Sequence, residues 1–182
     1  MAKQQLMIAF ATLLLLSSSL AFANAGEDQS SSPPPPPPAE KQKKINVVVE
    51  GMVYCQSCKY YGTWSLTDAK PIPSAKVSVT CKNHKNIVTF YKIFVTDEGG
   101  YFYAPLDGYK MDDYVLDHPL HSCEVRLVAS PLPTCNSPTN INYGLNGASL
   151  RYENKRIFGS NYEAVIYAAG PLAFRPGYCP SS

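Results

Sequence analysis

Six cysteines, Cys55, Cys58, Cys81, Cys123, Cys135 and Cys179, all fall after residue 54 of a 182-residue chain. Their redox state constrains what the chain can fold into, and the first 25 residues set that state. Lys3 gives a positive start, Leu6 to Leu16 is mostly apolar, and Ala23-Asn24-Ala25 has the small-x-small pattern of a signal-peptidase site. Residues 1–25 therefore read as a secretory signal peptide cleaved before Gly26. A membrane anchor needs about 20 apolar residues in a row; here Ser17-Ser18-Ser19 interrupt the run and no stop-transfer flank follows, so no membrane span is expected. An exported chain meets an oxidising compartment, and three disulfides are expected. Spacing alone does not choose among the fifteen ways of pairing six cysteines. Cys55-Gln56-Ser57-Cys58 also admits a zinc knuckle or a thioredoxin-type redox pair. Neither has its context, because no second Cys-x-x-Cys follows and no βαβ pattern surrounds the first.

Residues 26–44 form a Ser/Pro/Lys-rich disordered arm. Ser30-Ser31-Ser32 leads into Pro33, Pro34, Pro35, Pro36, Pro37 and Pro38, a block that lacks successive backbone donors and has nothing to bury. It should extend as a polyproline II rod, and six residues at ~3.1 Å each reach ~19 Å. Ser32 with its contiguous prolines has the pattern of extensin sequences in which prolines are hydroxylated and O-glycosylated; a bare spacer is the alternative. Lys41, Lys43 and Lys44 follow, as candidate contacts for a polyanion such as pectate or as a solvated run. A formal charge of +2 gives no field of the kind nucleic acid requires.

From residue 45 to 182 the pattern is all-β. Ile45 to Tyr54 is rich in valine, and Ala75 to Cys81 alternates with Val77, Val79 and Cys81 on one face. Ile87 to Thr96 is apolar on both parities and is expected to lie buried at the centre of a sheet. Asp97-Glu98-Gly99-Gly100 predicts a hairpin into Tyr101 to Ala104. Cys123, Val125, Leu127 and Ala129 share a face, and Ala148 to Tyr152 and Ala164 to Ala168 are further candidates. Seven short strands with no convincing amphipathic helix argue a sandwich or barrel.

Glu50-Gly51-Met52-Val53-Tyr54-Cys55-Gln56-Ser57-Cys58-Lys59 resembles the signature of the pollen Ole e allergen and extensin family. In that pattern Gly-x-Val-Tyr-Cys precedes a second cysteine and a basic residue. Gln56 stands where the family usually has an acid, a departure expected to touch only a loop side chain. The six-cysteine order and Thr96-Asp97-Glu98-Gly99-Gly100-Tyr101-Phe102 add to the likeness, which covers residues 45–182. A polyproline arm ahead of such a domain is more similar to the proline-rich, arabinogalactan and pistil extensin-like wall proteins than to the bare allergens. The resemblance implies a seven-stranded Greek-key β-sandwich or barrel and the pairs Cys55–Cys135, Cys58–Cys179 and Cys81–Cys123.

Catalytic signatures are sparse. No Gly-x-Ser-x-Gly elbow, His-Glu-x-x-His helix or phosphate-binding glycine loop is present. His118 and His121 with Asp117 could suggest a metal, but Pro119 is expected to deny them a helical face, and with His84 they read as polar loop residues. Asp97-Glu98 could suggest calcium and is explained more simply as a turn tip. No cofactor and no enzymatic activity are expected.

Recognition chemistry is better represented. Tyr60, Tyr61 and Trp64 cluster just after the first cysteine pair, and flat rings stack on the apolar C–H faces of sugars. Tyr101, Tyr103, Tyr109 and Tyr114 surround the predicted hairpin, where packing is the simpler role; exposed tyrosines could also cross-link oxidatively. The expected function is a secreted, non-enzymatic wall protein whose β-domain binds polysaccharide (galactan, arabinan or pectate) or the O-glycans of other wall proteins, with the arm as tether. The alternative is a secreted signalling or developmental factor of pollen tube, pistil or root, recognised by a protein receptor. A glycan-active enzyme ranks last.

Overall fold

The computed structural model describes residues 44–110 and 115–180. The expectations for the signal peptide, for Ser32 and Pro33 to Pro38, for Lys41 and Lys43, and for Tyr114 lie outside these residues. Lys44, assigned to the arm, opens the first strand. No described helix is long and apolar enough to cross a membrane.

The described residues contain seven strands of five or more residues and three of two residues, in two sheets. The first sheet is centred on β1 (Lys44–Cys55) and β10 (Tyr162–Arg175), which run parallel. β5 (Tyr101–Pro105) and the short β2 (Lys70–Pro71) pair with β1; β9 (Arg151–Phe158) and the short β7 (Ser137–Pro138) pair with β10. The second sheet has the order β4 (Val88–Val95), β3 (Lys76–Lys82), β6 (Cys123–Ala129) and β8 (Ala148–Ser149).

The core lies between the sheets because alternation sends one parity of each strand inward. Val49, Val53, Phe102, Leu172 and Phe174 from the first sheet join Val77, Val79, Val125 and Leu127 from the second in one buried cluster. Full burial of each such side chain contributes about 1.5–3 kcal/mol. Gly51 is required by this packing: a Cβ there would strike the Ala169 carbonyl and the Phe102 ring. The structure joins the pairs the resemblance implied, Cys55–Cys135, Cys58–Cys179 and Cys81–Cys123, with sequence separations of 80, 121 and 42. The last bridges directly opposed residues of β3 and β6.

Three expectations are corrected. Ile87 to Thr96 is not central: among the described residues β4 is an edge strand paired only with β3, and Ile87, Val88, Tyr91, Ile93 and Val95 are exposed. Apolar residues on both parities of this strand do not signify burial on both faces. Lys92 lies opposite Val79, on the parity of the core residues, yet is exposed, a placement of charge that suits a sheet edge.

The Asp97–Gly100 turn is tight, with the Asp97 carboxylate accepting from the Gly99 and Tyr101 amides at 2.9 Å. It is not a hairpin, because β5 leaves β4 and pairs with β1 in the other sheet. Gly100, at φ +75, lies against Val53 and Pro71 where a side chain would clash, and its carbonyl accepts from the Val53 amide. The end of the turn thereby extends the β1–β5 pairing of the first sheet.

Finally, Ala148 to Tyr152 is divided between β8 in one sheet and β9 in the other. β10 runs well beyond Ala168, through Gly170-Pro171, to Arg175.

Candidate functional site

The first cysteine pair builds a rigid corner. β1 ends at Cys55, which is tied to Cys135, and three residues later Cys58 is tied to Cys179 in the C-terminal segment. Between them Gln56 is 2% exposed. Its amide nitrogen lies 3.0 Å from each of the Tyr60, Thr63 and Ser65 carbonyls, so two hydrogens serve three acceptors and the loop wraps around this side chain. The Gln56 backbone amide donates to the Phe174 carbonyl at 2.9 Å. Gln56 is thus a loop side chain, as expected, and in addition the organiser of that loop. A carboxylate here would have no proton for these carbonyls when ionised.

This loop displays the aromatic residues. Trp64 is 58% exposed and meets Tyr143, 59% exposed, edge to face with ring centroids 5.8 Å apart and planes at 78°. Tyr143 comes from the helical turn Ile141–Tyr143 and, like Asn142, has a positive φ. That conformation is held by the Asn142 side-chain amide, which donates to the Pro171 carbonyl at 2.7 Å, and by Thr139, whose hydroxyl donates to the Ala173 carbonyl at 2.6 Å. Tyr61 carries the Arg175 guanidinium over its ring, 4.6 Å from the centroid. Tyr60 is half-buried with the Lys59 ammonium 5.4 Å from its ring.

A cleft of about 250 Å³ opens beside Trp64, lined also by Asn140, Leu145, Arg175 and the buried Gln56; Tyr143 is not in its lining and borders it through Trp64. Of the three residues singled out by sequence, the structure puts Trp64 on the cleft, Tyr61 behind Arg175, and Tyr60 outside the lining. Tyr143, Leu145, Asn140 and Arg175 were missed. They arrive from distant segments, and only the turn-like Asn142-Tyr143-Gly144-Leu145-Asn146-Gly147 hinted at an exposed ring.

A second cleft, about 330 Å³, is lined by Lys82, His84, His121 and Glu124 among others. Several polar groups in and behind it are engaged with protein. The buried Asp117 carboxylate takes the His84 backbone amide at 2.5 Å and lies 3.1 Å from His84 Nδ1, and Glu124 pairs with Arg126 at 2.8 Å. Pro119, expected to prevent helix, instead opens the helical turn Pro119–Ser122, where proline's missing N–H costs nothing; His118 caps it through Nδ1, which accepts from the Leu120 amide. Burial and, after it, the charge of His121 hold the His118 imidazole below the usual histidine range. Among the described residues no group of three or more His, Cys, Asp or Glu side chains could hold a metal ion.

The remaining tyrosines divide. Tyr101 donates to Glu50 at 2.6 Å, and Lys155 pairs with the same carboxylate at 2.9 Å; burial and the Glu50 contact push the phenol well above its ordinary value. Tyr109 packs at the edge of the core and donates to the Asp117 carbonyl at 2.5 Å, whereas Tyr103 is exposed.

No family model matches the chain. It is 36% identical over 146 residues to a non-classical arabinogalactan protein of Arabidopsis thaliana, a match covering 77% of this chain and 56% of the relative. It is 36% identical over 104 residues to a pistil-specific extensin-like protein of Nicotiana tabacum, covering 57% and 22% respectively. A proline-rich protein of Arabidopsis thaliana is 30% identical over 134 residues, covering 69% and 36%. The chain thus spans a little over half of the first relative and much less of the others. The crystal structure of the major plantain pollen allergen Pla l 1 superposes with a TM-score of 0.50 at 22% identity, covering 75% of this chain and 99% of the allergen. None of these names is that of an enzyme, and such wall-protein relatives together with three disulfides are consistent with an extracellular location. The chain is a homologue of the arabinogalactan, pistil extensin-like and proline-rich proteins of plants, and its domain has the β-fold of an Ole e-like pollen allergen.

Proposed function

We propose that the β-domain is a non-catalytic glycan-binding module of the plant cell wall, using the cleft beside Trp64, with the proline-rich arm as tether. The observation that carries this reading is the exposed Trp64–Tyr143 pair on a corner locked by two disulfides and the Gln56 amide. Exposed rings held in place lose little freedom when a sugar stacks on them, which favours affinity. Asn140 and Thr63 on the walls could meet hydroxyls at the rim. Galactan, arabinan and pectate chains, or the O-glycans of neighbouring wall proteins, are the expected ligands. Lys41, Lys43 and Lys44 would add a salt-dependent contact to acidic polymer.

The test is a wall-glycan array probed with the secreted chain and with Trp64→Ala and Tyr143→Ala. Saturable binding lost by at least tenfold in both variants is expected; binding to no glycan, or binding indifferent to both substitutions, would refute the reading. The second reading, a secreted factor recognised by a protein, draws on the exposed apolar residues Ile87, Tyr91, Ile93 and Val95 along the β4 edge. It predicts sugar-independent capture of one protein that Ile93→Lys abolishes.

A further inference from the structure

The charges of the Trp64 cleft narrow the class of glycan. Of the four arginines, Arg126, Arg151 and Arg156 each have a carboxylate within 4 Å. Among the described residues Arg175 has none, and its recorded contact is the face of Tyr61. Stacking fixes the plane of a guanidinium and leaves its N–H edges directed outward, the geometry in which arginine grips a carboxylate with two parallel hydrogen bonds. Arg175 lies in the same cleft as Trp64, and among the described residues no Asp or Glu lines that cleft. Its position is fixed by the end of β10, which pairs with β7 through Arg175 and Ser137, and Cys179 is bridged to Cys58 just beyond.

We infer that this cleft selects a uronate-bearing glycan: one sugar stacks on Trp64 while the carboxylate of a neighbouring uronate is held by Arg175. The inference rests on the glycan-binding reading and adds to it the chemical class of ligand. A neutral sugar would leave the guanidinium facing water, so the ring contact alone would supply its affinity. An acidic sugar gains a charge-assisted pair in a half-enclosed site, where screening is weaker than at an open surface.

The experiment compares an oligogalacturonide with the same oligosaccharide after chemical reduction of its carboxylates to alcohols, titrated calorimetrically into the secreted full chain at physiological salt. The wild type should bind the acid at least tenfold more tightly than the reduced form. Arg175→Gln should close the gap, bringing the acid to the affinity that the same variant shows for the neutral ligand. Arg175→Lys keeps the charge but loses the planar fork, and should fall between. Trp64→Ala should weaken both ligands by a similar factor. Equal affinity of the wild type for the two ligands overturns the inference while leaving the glycan module standing. A preference that persists in Arg175→Gln also overturns it, by placing the selectivity on other cations such as the lysines of residues 41–44. Binding of neither ligand overturns it as well, and the array with its Trp64 control then decides separately whether the cleft binds any glycan.

Discussion

At the His84 cleft several polar side chains answer one another: Asp117 holds His84, Glu124 holds Arg126, and Tyr109 closes onto the Asp117 carbonyl. At the Trp64 cleft the order is reversed. The groups facing protein are backbone carbonyls and the buried Gln56 amide, while Trp64 and Tyr143 are exposed and Arg175, lying over Tyr61, has no carboxylate partner among the described residues. The first cleft is somewhat the larger, yet volume is a poor guide here. A site that stabilises the fold satisfies its own polar groups, whereas a site that binds something leaves chosen groups unsatisfied and supports them from behind.

The comparison can be broken at its support. Removing the Cys58–Cys179 bridge with paired Cys→Ser substitutions frees a loop closed over 121 residues, for which chain entropy gives a loss of about 5 kcal/mol. Denaturant unfolding should show it, and hydrogen exchange should rise at the Trp64 end more than around His84. Gln56→Glu comes next. It keeps the shape but sets a carboxylate against three carbonyls, at a cost of about 2–3 kcal/mol near neutral pH. The loss should shrink in acid as the carboxyl gains the proton that restores a donor, so stability curves of variant and wild type should converge as pH falls. Asp117→Asn should cost about 1–2 kcal/mol and leave ligand affinity at the Trp64 cleft unchanged; a parallel loss of binding would show that the two clefts are not independent.

The smallest effect is a pH dependence. His118 is held below its unfolded pKa by burial and by His121, so the folded state takes up its proton less readily than the unfolded state. The associated stability is full above about pH 6.5 and declines as pH falls below that value toward the lowered folded pKa. His118→Gln should flatten that part of the curve, measured by urea midpoints across the range.

Much of this fold was legible where a single strand carries the whole signal. Val77, Val79 and Cys81, and Cys123, Val125 and Leu127, alternate because one parity of each strand faces the core, and all six are buried as read. What was not legible depends on partners. β4 has the composition of a central strand and sits at an edge, since coverage of its outer face is decided by strands that its own sequence does not specify. The Asp97–Gly100 turn was readable as a turn, but the sheet that β5 joins is chosen by distant β1. β9, with Glu153, Asn154, Lys155 and Arg156, carries no alternation because all its residues are exposed. The site divides in the same way. Trp64 announces itself as an aromatic beside a cysteine pair, while Tyr143 and Arg175 reach it only through the Cys55–Cys135 and Cys58–Cys179 bridges and the ends of β7 and β10.

Trp64 is the sole tryptophan of the chain, so its fluorescence reports on the proposed cleft with no competing indole. Titration of the secreted protein with wall oligosaccharides should shift and saturate that emission, with the same midpoint that calorimetry gives for binding. Glycan binding that leaves Trp64 emission unchanged, or no saturable response to any wall glycan, would contradict the account.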